Sequence, residues 1–199
     1  GWSQFDGDFF TPGDPENGWG IELGGIEGVK ANNNCSFYST GAPQMIPGFI
    51  TDYVNNSGAM SVCWDGDYVG SGYDVSIHIN YSLNQADLFY STEVTIKNNG
   101  PGIIDTIYYH RNIDPDNNVY LTGNYSTVNS IISQGDIACS KALVTAEQSL
   151  PWGSYIGLAA FGENFRVTYG GFSNRDASDL WNYGTGSIVG TPGSVSSAD

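Results

Sequence analysis

The sequence predicts an all-β protein, a single antiparallel β-sandwich-like domain with at most one or two short helices. Its 199 residues include 27 Gly, 13 Tyr and 9 Phe but only six Lys and Arg, a composition that favours strands and turns over helices. Segments of alternating apolar and polar residues are short, and clusters of Gly, Asn, Asp and Pro, the usual turn residues, separate them. No linker divides the chain, so we expect one domain over 1–199.

Predicted strands follow one another along the first part of the chain. The clearest period-two pattern covers residues 73–81, where Val75, Ile77 and Ile79 alternate with polar residues. One face of this strand should therefore pack in the core and the other should face water. Weaker candidates, with looser alternation, are 19–29, 35–39, 49–54 and 59–64.

Two further strands, 88–97 and 103–113, flank a loop at 98–102. The loop reads NNGPG, and such residues tolerate the positive φ angles that hairpin connections require. We therefore expect the two strands to be antiparallel neighbours, with 119–125 returning beside them to close a meander.

The last part of the chain holds three strand candidates and one helix. The strands are expected at 142–145, 155–160 and 165–169. The helix is expected at 173–183, because Ser173 or Asp176 can cap its start and Gly184 can end it. Residues 185–199 contain almost no core residue and should form either a last irregular strand or a flexible tail.

The charge balance excludes two classes of partner. Twenty-one acidic residues against six basic ones give a formal charge of -15, which repels nucleic acid and anionic membrane surfaces. No apolar run approaches the roughly 20 residues needed to cross a bilayer, so no membrane insertion is expected. A secreted, calcium-loaded protein shows such acidity because divalent ions offset carboxylate repulsion. A solvated acidic surface explains it equally well.

The stretch 108–118, YYHRNIDPDNN, runs from a strand pattern into a group of hard oxygen ligands. Pro115 disfavours helical geometry at Asp114, so the chain should leave the strand in a preset bend. Side-chain oxygens of Asp114, Asp116 and Asn118 then suit a Ca²⁺ ion, which takes about six to eight oxygens. The alternative is a plain polar turn, since Asn, Asp and Pro are common there for conformational reasons alone.

Two other Asp-x-Asp pairs are predicted at strand ends and extend the calcium hypothesis. They are Asp6 with Asp8 and Asp65 with Asp67. The pair at 114 and 116 begins like an EF-hand loop, but Val119 stands where that loop needs Gly and Tyr125 where it needs Glu. An EF-hand is thus excluded, and irregular loop sites with Ca²⁺ as cofactor are predicted.

Catalysis is poorly supported by the sequence, and we predict that the protein is not an enzyme. His78 and His110 lie in predicted strands without zinc-ligand spacing or a nucleophile motif, and histidines in strands usually only face water. An acidic pair for glycoside hydrolysis is left open, because several Glu residues could meet in space. No such pair stands out.

Aromatic residues gather around the acidic turns, where rigid amphipathic rings suit a recognition surface. In the strand before Asp114, Tyr108 and Asn112 lie on the more polar face and Arg111 lies on the other. Arg111 could bind an incoming carboxylate or neutralise its acidic neighbours. The predicted ligand-binding residues are Tyr108, Tyr109, Arg111, Asn112 and Tyr120.

Three segments carry a resemblance to a known family. They are FDGDFFTPG at 5–13, Trp19-Gly20, and YHRNIDPD at 109–116 after the NNG turn. With these segments the chain resembles the calcium-dependent peptide-binding domain of giant bacterial RTX adhesins. The resemblance spans most of the chain, and its most specific part is the Arg-Asn-x-Asp-Pro-Asp run.

The resemblance implies an extracellular β-sandwich-like ligand-binding module, excised from a longer cell-surface protein and flanked by neighbouring domains of the same adhesin. It implies binding to the free C-terminal end of host or microbial surface proteins, with calcium helping to hold the terminal carboxylate. An ion with an open coordination position would explain how so acidic a protein binds an acidic peptide end.

Two other functions remain alternatives. The same oxygens, with Trp and Tyr residues able to stack on sugars, suit a calcium-dependent, lectin-like carbohydrate-binding module. The more remote of the two is a secreted hydrolase, which would need an acidic group with a raised pKa in a cleft.

Overall fold

The computed structural model describes residues 17–33, 44–115, 125–135, 141–147, 155–170, 174, 176–184 and 186–198. About 60% of the described residues are in strands and 4% are helical, and one short helix accompanies twelve strands among them. The predicted all-β class is confirmed. The strands are β1 (Asn17–Leu23), β2 (Val29–Asn33), β3 (Gln44–Met45), β4 (Gly48–Asn56), β5 (Ala59–Gly70), β6 (Tyr73–Asn84), β7 (Ser91–Asn98), β8 (Ile107–Ile113), β9 (Thr127–Ser133), β10 (Lys141–Glu147), β11 (Tyr155–Phe161) and β12 (Val195–Ala198), and the helix is α1 (Ala177–Asn182).

The strands form three four-stranded sheets, with the orders β3-β2-β1-β8, β11-β10-β9-β12 and β4-β5-β6-β7. Every pair in the last two sheets is antiparallel, whereas the two-residue strand β3 runs parallel to β2. The antiparallel, sandwich-like architecture predicted from the sequence is confirmed.

The described residues group into two compact units. The first contains 17–20 and the described residues from Tyr108 onward, and the second contains 21–33 and 44–107. The expectation of one ligand-binding domain over 1–199 stays a prediction.

In the second unit, strand β6 shows the alternation predicted for residues 73–81. Val75, Ile77 and Ile79 are buried, while the polar residues between them are half-buried. On the neighbouring pair of strands, Gly48 lies opposite Gly66. The indole of Trp64 lies over both glycines, where any side chain would overlap it, so two small residues let a large ring lie flat on the sheet.

The predicted hairpin between 88–97 and 103–113 is wrong. β7 pairs with β6 at the edge of its sheet, and β8 belongs to a different sheet. The loop after β7 folds back onto β6, because the carbonyl of Asp74 accepts the backbone N–H groups of Asn99 (2.8 Å) and Gly100 (3.2 Å). The Asn-Gly pattern therefore marks a turn whose flanking strands are not neighbours. Residues 119–124 of the predicted returning strand lie outside the described residues.

The predicted strand at 19–29 is interrupted by a glycine turn. Gly24 and Gly25 have φ angles of 91° and 94°, left-handed values that end β1. Glu22 is fully buried, and its Oε1 accepts the backbone N–H of Gly28 at 2.8 Å. This hydrogen bond holds the turn closed and directs the chain into β2.

The sheet β11-β10-β9-β12 supplies the core of the first unit. Ile131, Ala142 and Val167 are buried together. The side chain of Gln134 joins three segments, because its Nε2 donates to the carbonyls of Val167 (2.8 Å) and Gly190 (2.7 Å) while its Oε1 accepts the Val167 N–H (2.8 Å). One amide thus links the end of β9 to two loops.

The structure settles most of the remaining strand predictions. The candidates 49–54, 59–64, 142–145 and 155–160 lie within β4, β5, β10 and β11. The candidate 165–169 is wrong as a regular strand, since it forms only the isolated bridge between Tyr169 and Val189. Of the two alternatives predicted for residues 185–199, a last strand or a flexible tail, the structure shows the strand, because β12 pairs antiparallel with β9. The candidate at 35–39 lies outside the described residues.

The predicted helix is confirmed as α1, although it starts later than 173. The carboxylate of Asp176 accepts the backbone N–H of Asp179 at 3.0 Å and caps the helix, so the first turn follows Asp176. Tyr183 takes a left-handed conformation with φ 55° and ends the helix, just before the predicted stop at Gly184. Within the described ranges, no helix is long and apolar enough to span a membrane.

Candidate functional site

Strand β8 carries the predicted binding stretch. The strand ends at Ile113, and Asp114 and Pro115 follow as an irregular, half-buried segment. The chain therefore leaves the strand where Pro115 predicts a bend. Of the loop residues predicted to bind calcium or ligand, only Asp114 is described. Asp116, Asn118 and Tyr120 lie outside the described residues.

The predicted ligand-binding residues divide between the two faces of β8. Tyr109 stacks on Trp19 of β1, with ring centroids 6.1 Å apart and an interplanar angle of 25°. Arg111 lies on the same side, and its Nη2 donates to Oδ1 of Asn17 at 2.8 Å. These two residues hold β8 against β1. The opposite face carries Tyr108, His110 and Asn112.

The Tyr108 face of β8 adjoins helix α1. The ring of Tyr108 lies 6.3 Å from that of Trp181, tilted by 51°. The guanidinium of Arg166 lies 4.2 Å from the centroid of the Trp181 ring and 5.4 Å from that of Tyr183, and Nη1 of Arg166 donates to the Trp181 carbonyl. The Arg166 cation thus braces the end of α1 through both rings, and the contact between Tyr108 and Trp181 joins this end to the strand.

His110 and Asn112 present buried polar atoms to this face. Both ring nitrogens of His110 and Oδ1 of Asn112 are shielded from solvent and have no hydrogen-bond partner among the described residues. The imidazole lies against the backbone of Gly20, where a methyl group would be 3.1 Å from Nδ1 and 3.2 Å from Nε2 and would overlap Cε1. Buried polar atoms are almost always paired with protein or ordered water, so this cluster is a candidate contact point for water or a ligand.

Burial sets the protonation state of His110. It lowers the pKa of the imidazole to about 4, although the nearby charge of Asp176 acts in the opposite direction. The ring is therefore neutral at physiological pH and offers one N–H donor and one nitrogen acceptor. The expectation that strand histidines merely face water does not hold for His110, whose ring nitrogens are buried although the residue as a whole is half-buried.

The pair Asp65 and Asp67 does not lie at a strand end, and that expectation is wrong. β5 continues to Gly70, so both carboxylates lie within the strand. Asp65 is already hydrogen-bonded, since its Oδ1 contacts Nδ1 of His78 at 2.7 Å and its Oδ2 accepts the Thr51 hydroxyl. The hydrogen bonds from Thr51 and His78 lower the pKa of Asp65.

The order of groups in this cluster argues against nucleophilic catalysis. In a nucleophile-base arrangement the hydroxyl is bonded to the imidazole, whereas here the Thr51 hydroxyl is bonded to the carboxylate of Asp65. The cluster instead ties β4, β5 and β6 together on one face of their sheet.

The predicted metal ligands lie only partly within the described residues. Asp6 and Asp8 lie outside the described residues. Within the described ranges, no group of three or more His, Cys, Asp or Glu side chains is placed to hold a metal ion. Calcium at Asp114, Asp116 and Asn118, or at Asp65 and Asp67, stays a prediction.

Sequence reasoning missed several residues that shape the site. Gly20, Arg166, Asp176 and Trp181 all border it, and His110 was assigned to the solvent. One signal was available: a glycine inside a strand often marks the close approach of another group, and Gly20 follows Trp19 within a predicted strand. The approach of α1 joins residues far apart in sequence, and a single sequence does not reveal it.

No protein-family model, curated protein or solved structure matches this chain. The interpretation of the site therefore depends on its own geometry and chemistry.

Proposed function

We propose that the chain is a non-catalytic adhesion module that binds the C-terminal end of a peptide, with calcium assistance, at the polar face of β8. The observation that carries the proposal is the group of buried polar atoms of His110 and Asn112 that have no partner in the described residues. Leaving such an atom unpaired costs about 1–3 kcal/mol, and a bound ligand removes that cost.

The chemistry of these atoms matches a peptide backbone. A peptide unit offers one N–H donor and one carbonyl acceptor. Neutral His110 can donate to the carbonyl and accept from an N–H, and Oδ1 of Asn112 accepts from the next N–H. Both residues are half-buried overall, so part of each residue reaches the surface beside these shielded atoms.

The terminal carboxylate needs a positive charge, and Arg166, the cation that borders this face, is already engaged with the Trp181 and Tyr183 rings and the Trp181 carbonyl. His110 is neutral, since its pKa is about 4, and Arg111 lies on the other face of β8, bonded to Asn17. The carboxylate of Asp114 is a hard oxygen donor of the type calcium prefers. Asp114, with Asp116 and Asn118, would hold the ion. When bound, it supplies the charge that attracts an anionic peptide end.

The proposal extends to location and partners. A net charge of -15 suits an extracellular protein whose carboxylates meet abundant divalent ions, either secreted or on a cell surface. The ligand would be the C-terminal peptide of a host or microbial surface protein, and neighbouring domains of the same adhesin would be the other contacts.

The test is a titration in which only the peptide's end differs. Peptides with free C-terminal carboxylates, and the same peptides as C-terminal amides, are titrated against the whole chain in Ca²⁺ and in EDTA. We expect the acid forms to bind in Ca²⁺ alone, because amidation removes the charge and EDTA removes the ion. Equal affinity for both forms would refute the proposal. A glycan array that is positive only with calcium, beside silent peptides, would favour the carbohydrate-binding alternative.

Two variants distinguish the contribution of the calcium ion to peptide binding from that of the polar atoms on β8. Asp114→Ala combined with Asp116→Ala should abolish calcium and peptide binding with the fold largely kept. Asn112→Ala should weaken peptide binding while the calcium-dependent rise in Tm persists. Asp105→Ala, which removes an exposed carboxylate outside the site, is the matched control. Undiminished affinity in the double variant would contradict the site assignment.

A further inference from the structure

Strand β4 is an unusually open edge strand. It pairs with β5 on one side and, among the strands that the structure describes, is the outermost of its sheet. All nine of its residues are exposed, including Ile50 at 65% and Tyr53 at 59%. An edge strand that is long and apolar invites another strand to pair with it.

The two faces beside this edge differ in chemistry. The register places Ile50 opposite Trp64 and Tyr53 opposite Val62, so one face is apolar. On the other face, Asp52 of β4 lies opposite Cys63 of β5. The carboxylates of β5 on this face, Asp65 and Asp67, follow Cys63 along the strand. The acidic residues on this second face of the sheet are Asp52, Asp65, Asp67, Asp74 and Glu93, and the face also carries one cation, Lys97, and the apolar Phe49 and Val54 of β4.

The opposite edge of the same sheet is protected in the usual way. β7 carries both Glu93 and Lys97, and its apolar residues are half-buried. An edge lysine discourages pairing with a further strand. The sole charged residue of β4 is Asp52. The pairing of β4 with β5 has one irregularity, a register shift between Ile50 and Asp52. The two edges are therefore not equivalent.

Charge decides which strand fits β4. A second copy of this chain would bring another net charge of -15 and set Asp52 and its neighbours against the same acidic face. A strand with basic residues on one face and apolar residues on the other would complement both surfaces.

We propose that β4 is a strand-addition site for an extended segment of another protein in which apolar and basic residues alternate. The segment forms backbone hydrogen bonds with the free edge of β4. Its apolar side chains cover Ile50 and Tyr53, and its Lys or Arg side chains lie beside Asp52 and Asp65. The proposal is independent of the β8 site, which belongs to the other unit.

The probe is a peptide of the length of β4 in which Lys alternates with Val and Thr, acetylated and amidated so that it has no free carboxylate. Fluorescence anisotropy measures its affinity for the whole chain, and hydrogen exchange reports protection of the β4 amides. We expect binding that weakens with salt, and a peptide with Glu in place of Lys should bind about tenfold more weakly or not at all. Asp114→Ala should leave the affinity unchanged.

Tyr53→Lys places a positive charge on the edge at an exposed position and should reduce affinity about tenfold or more. Thr95→Lys makes the same change in charge on β7, at an exposed position, and should not. Equal affinity for the Lys and Glu peptides, or unchanged affinity in Tyr53→Lys, would overturn the proposal. So would a dimer of the chain that Tyr53→Lys dissolves, because the occupant of β4 would then be a second copy.

Discussion

Gly20 lies directly against the imidazole of His110, so close that a methyl group on Gly20 would overlap Cε1 of the ring. The absence of a side chain at position 20 is therefore what allows the imidazole to occupy its buried place on β8. This contact fixes the position of the His110 ring within the polar cluster, and a substitution at Gly20 tests it directly.

Replacing Gly20 by Ala should destabilise the protein by about 1–3 kcal/mol, because the added methyl must displace a packed ring. The measurement is the midpoint of urea unfolding. Gly58→Ala is the control, since a methyl group there meets nothing within 4 Å, and its midpoint should stay close to that of the unchanged protein. Equal stability of the two variants would show that the ring moves aside without cost.

The buried imidazole of His110 should make stability depend on pH. Its pKa is lowered to about 4 by burial, below the value of about 6.5 expected in the unfolded chain. Between these values the unfolded state binds more protons, so the free energy of unfolding should fall as pH drops from about 6.5 to 4. The loss is roughly 3 kcal/mol if His110 stays buried until it is protonated.

Comparison with His110→Leu isolates this contribution, because all other ionisable groups are the same in both proteins. The difference in unfolding free energy between the two should change across this pH window and level off above it. Nuclear magnetic resonance of the His110 Cε1 proton gives the pKa directly. A value near 6.5 would contradict the burial of the ring.

Asp176 should influence both the helix and the imidazole, and two variants separate these effects. Asp176→Asn keeps an oxygen that can accept the Asp179 N–H but removes the charge that raises the pKa of His110. We expect a still lower His110 pKa with α1 retained. Asp176→Ala should lower that pKa as well and destabilise the chain by about 1 kcal/mol through loss of the cap. An unchanged His110 pKa in both variants would refute the electrostatic contact.

Glu22 should matter as an acceptor for the turn after β1. Glu22→Gln retains an oxygen for the Gly28 N–H and should be mild. Glu22→Ala removes this acceptor and leaves the N–H only its bond to the Gly25 carbonyl at 3.0 Å, so we expect a loss of about 0.5–1.5 kcal/mol in thermal or urea unfolding. Glu27→Gln, at an exposed residue that contacts Lys30 at 3.5 Å, is the control and should leave the midpoint unchanged. Equal midpoints for Glu22→Ala and Glu22→Gln would rule out this role.

Local patterns predicted the individual elements well. The alternation at Val75, Ile77 and Ile79 identified β6 and its buried face, because a period of two depends only on neighbouring residues. The capping residue Asp176 and the stop near Gly184 identified α1. These signals act within a few residues of the elements they specify.

Pairing and the site were harder to predict. The NNGPG loop indicated a turn, but hydrogen bonds to the Asp74 carbonyl turned it back onto β6, and β8 joined a different sheet. The end of β8 at Ile113 was predicted from the sequence, whereas the burial of His110 depends on Gly20 and on the approach of α1. Contacts of that kind join distant residues and are not specified by any local pattern.

The pairing of β12 with β9 has a consequence for the order of folding. The sheet of β4 to β7 joins strands that follow each other in the chain, so its loops are short and close at little entropic cost. β9 ends at Ser133 and meets β12 only at Val195. We therefore expect the β4 to β7 meander to acquire protection from hydrogen exchange first, with β9 gaining its second neighbour in a slower, later phase. During synthesis on the ribosome, one side of β9 would stay open until residues 195–198 emerge.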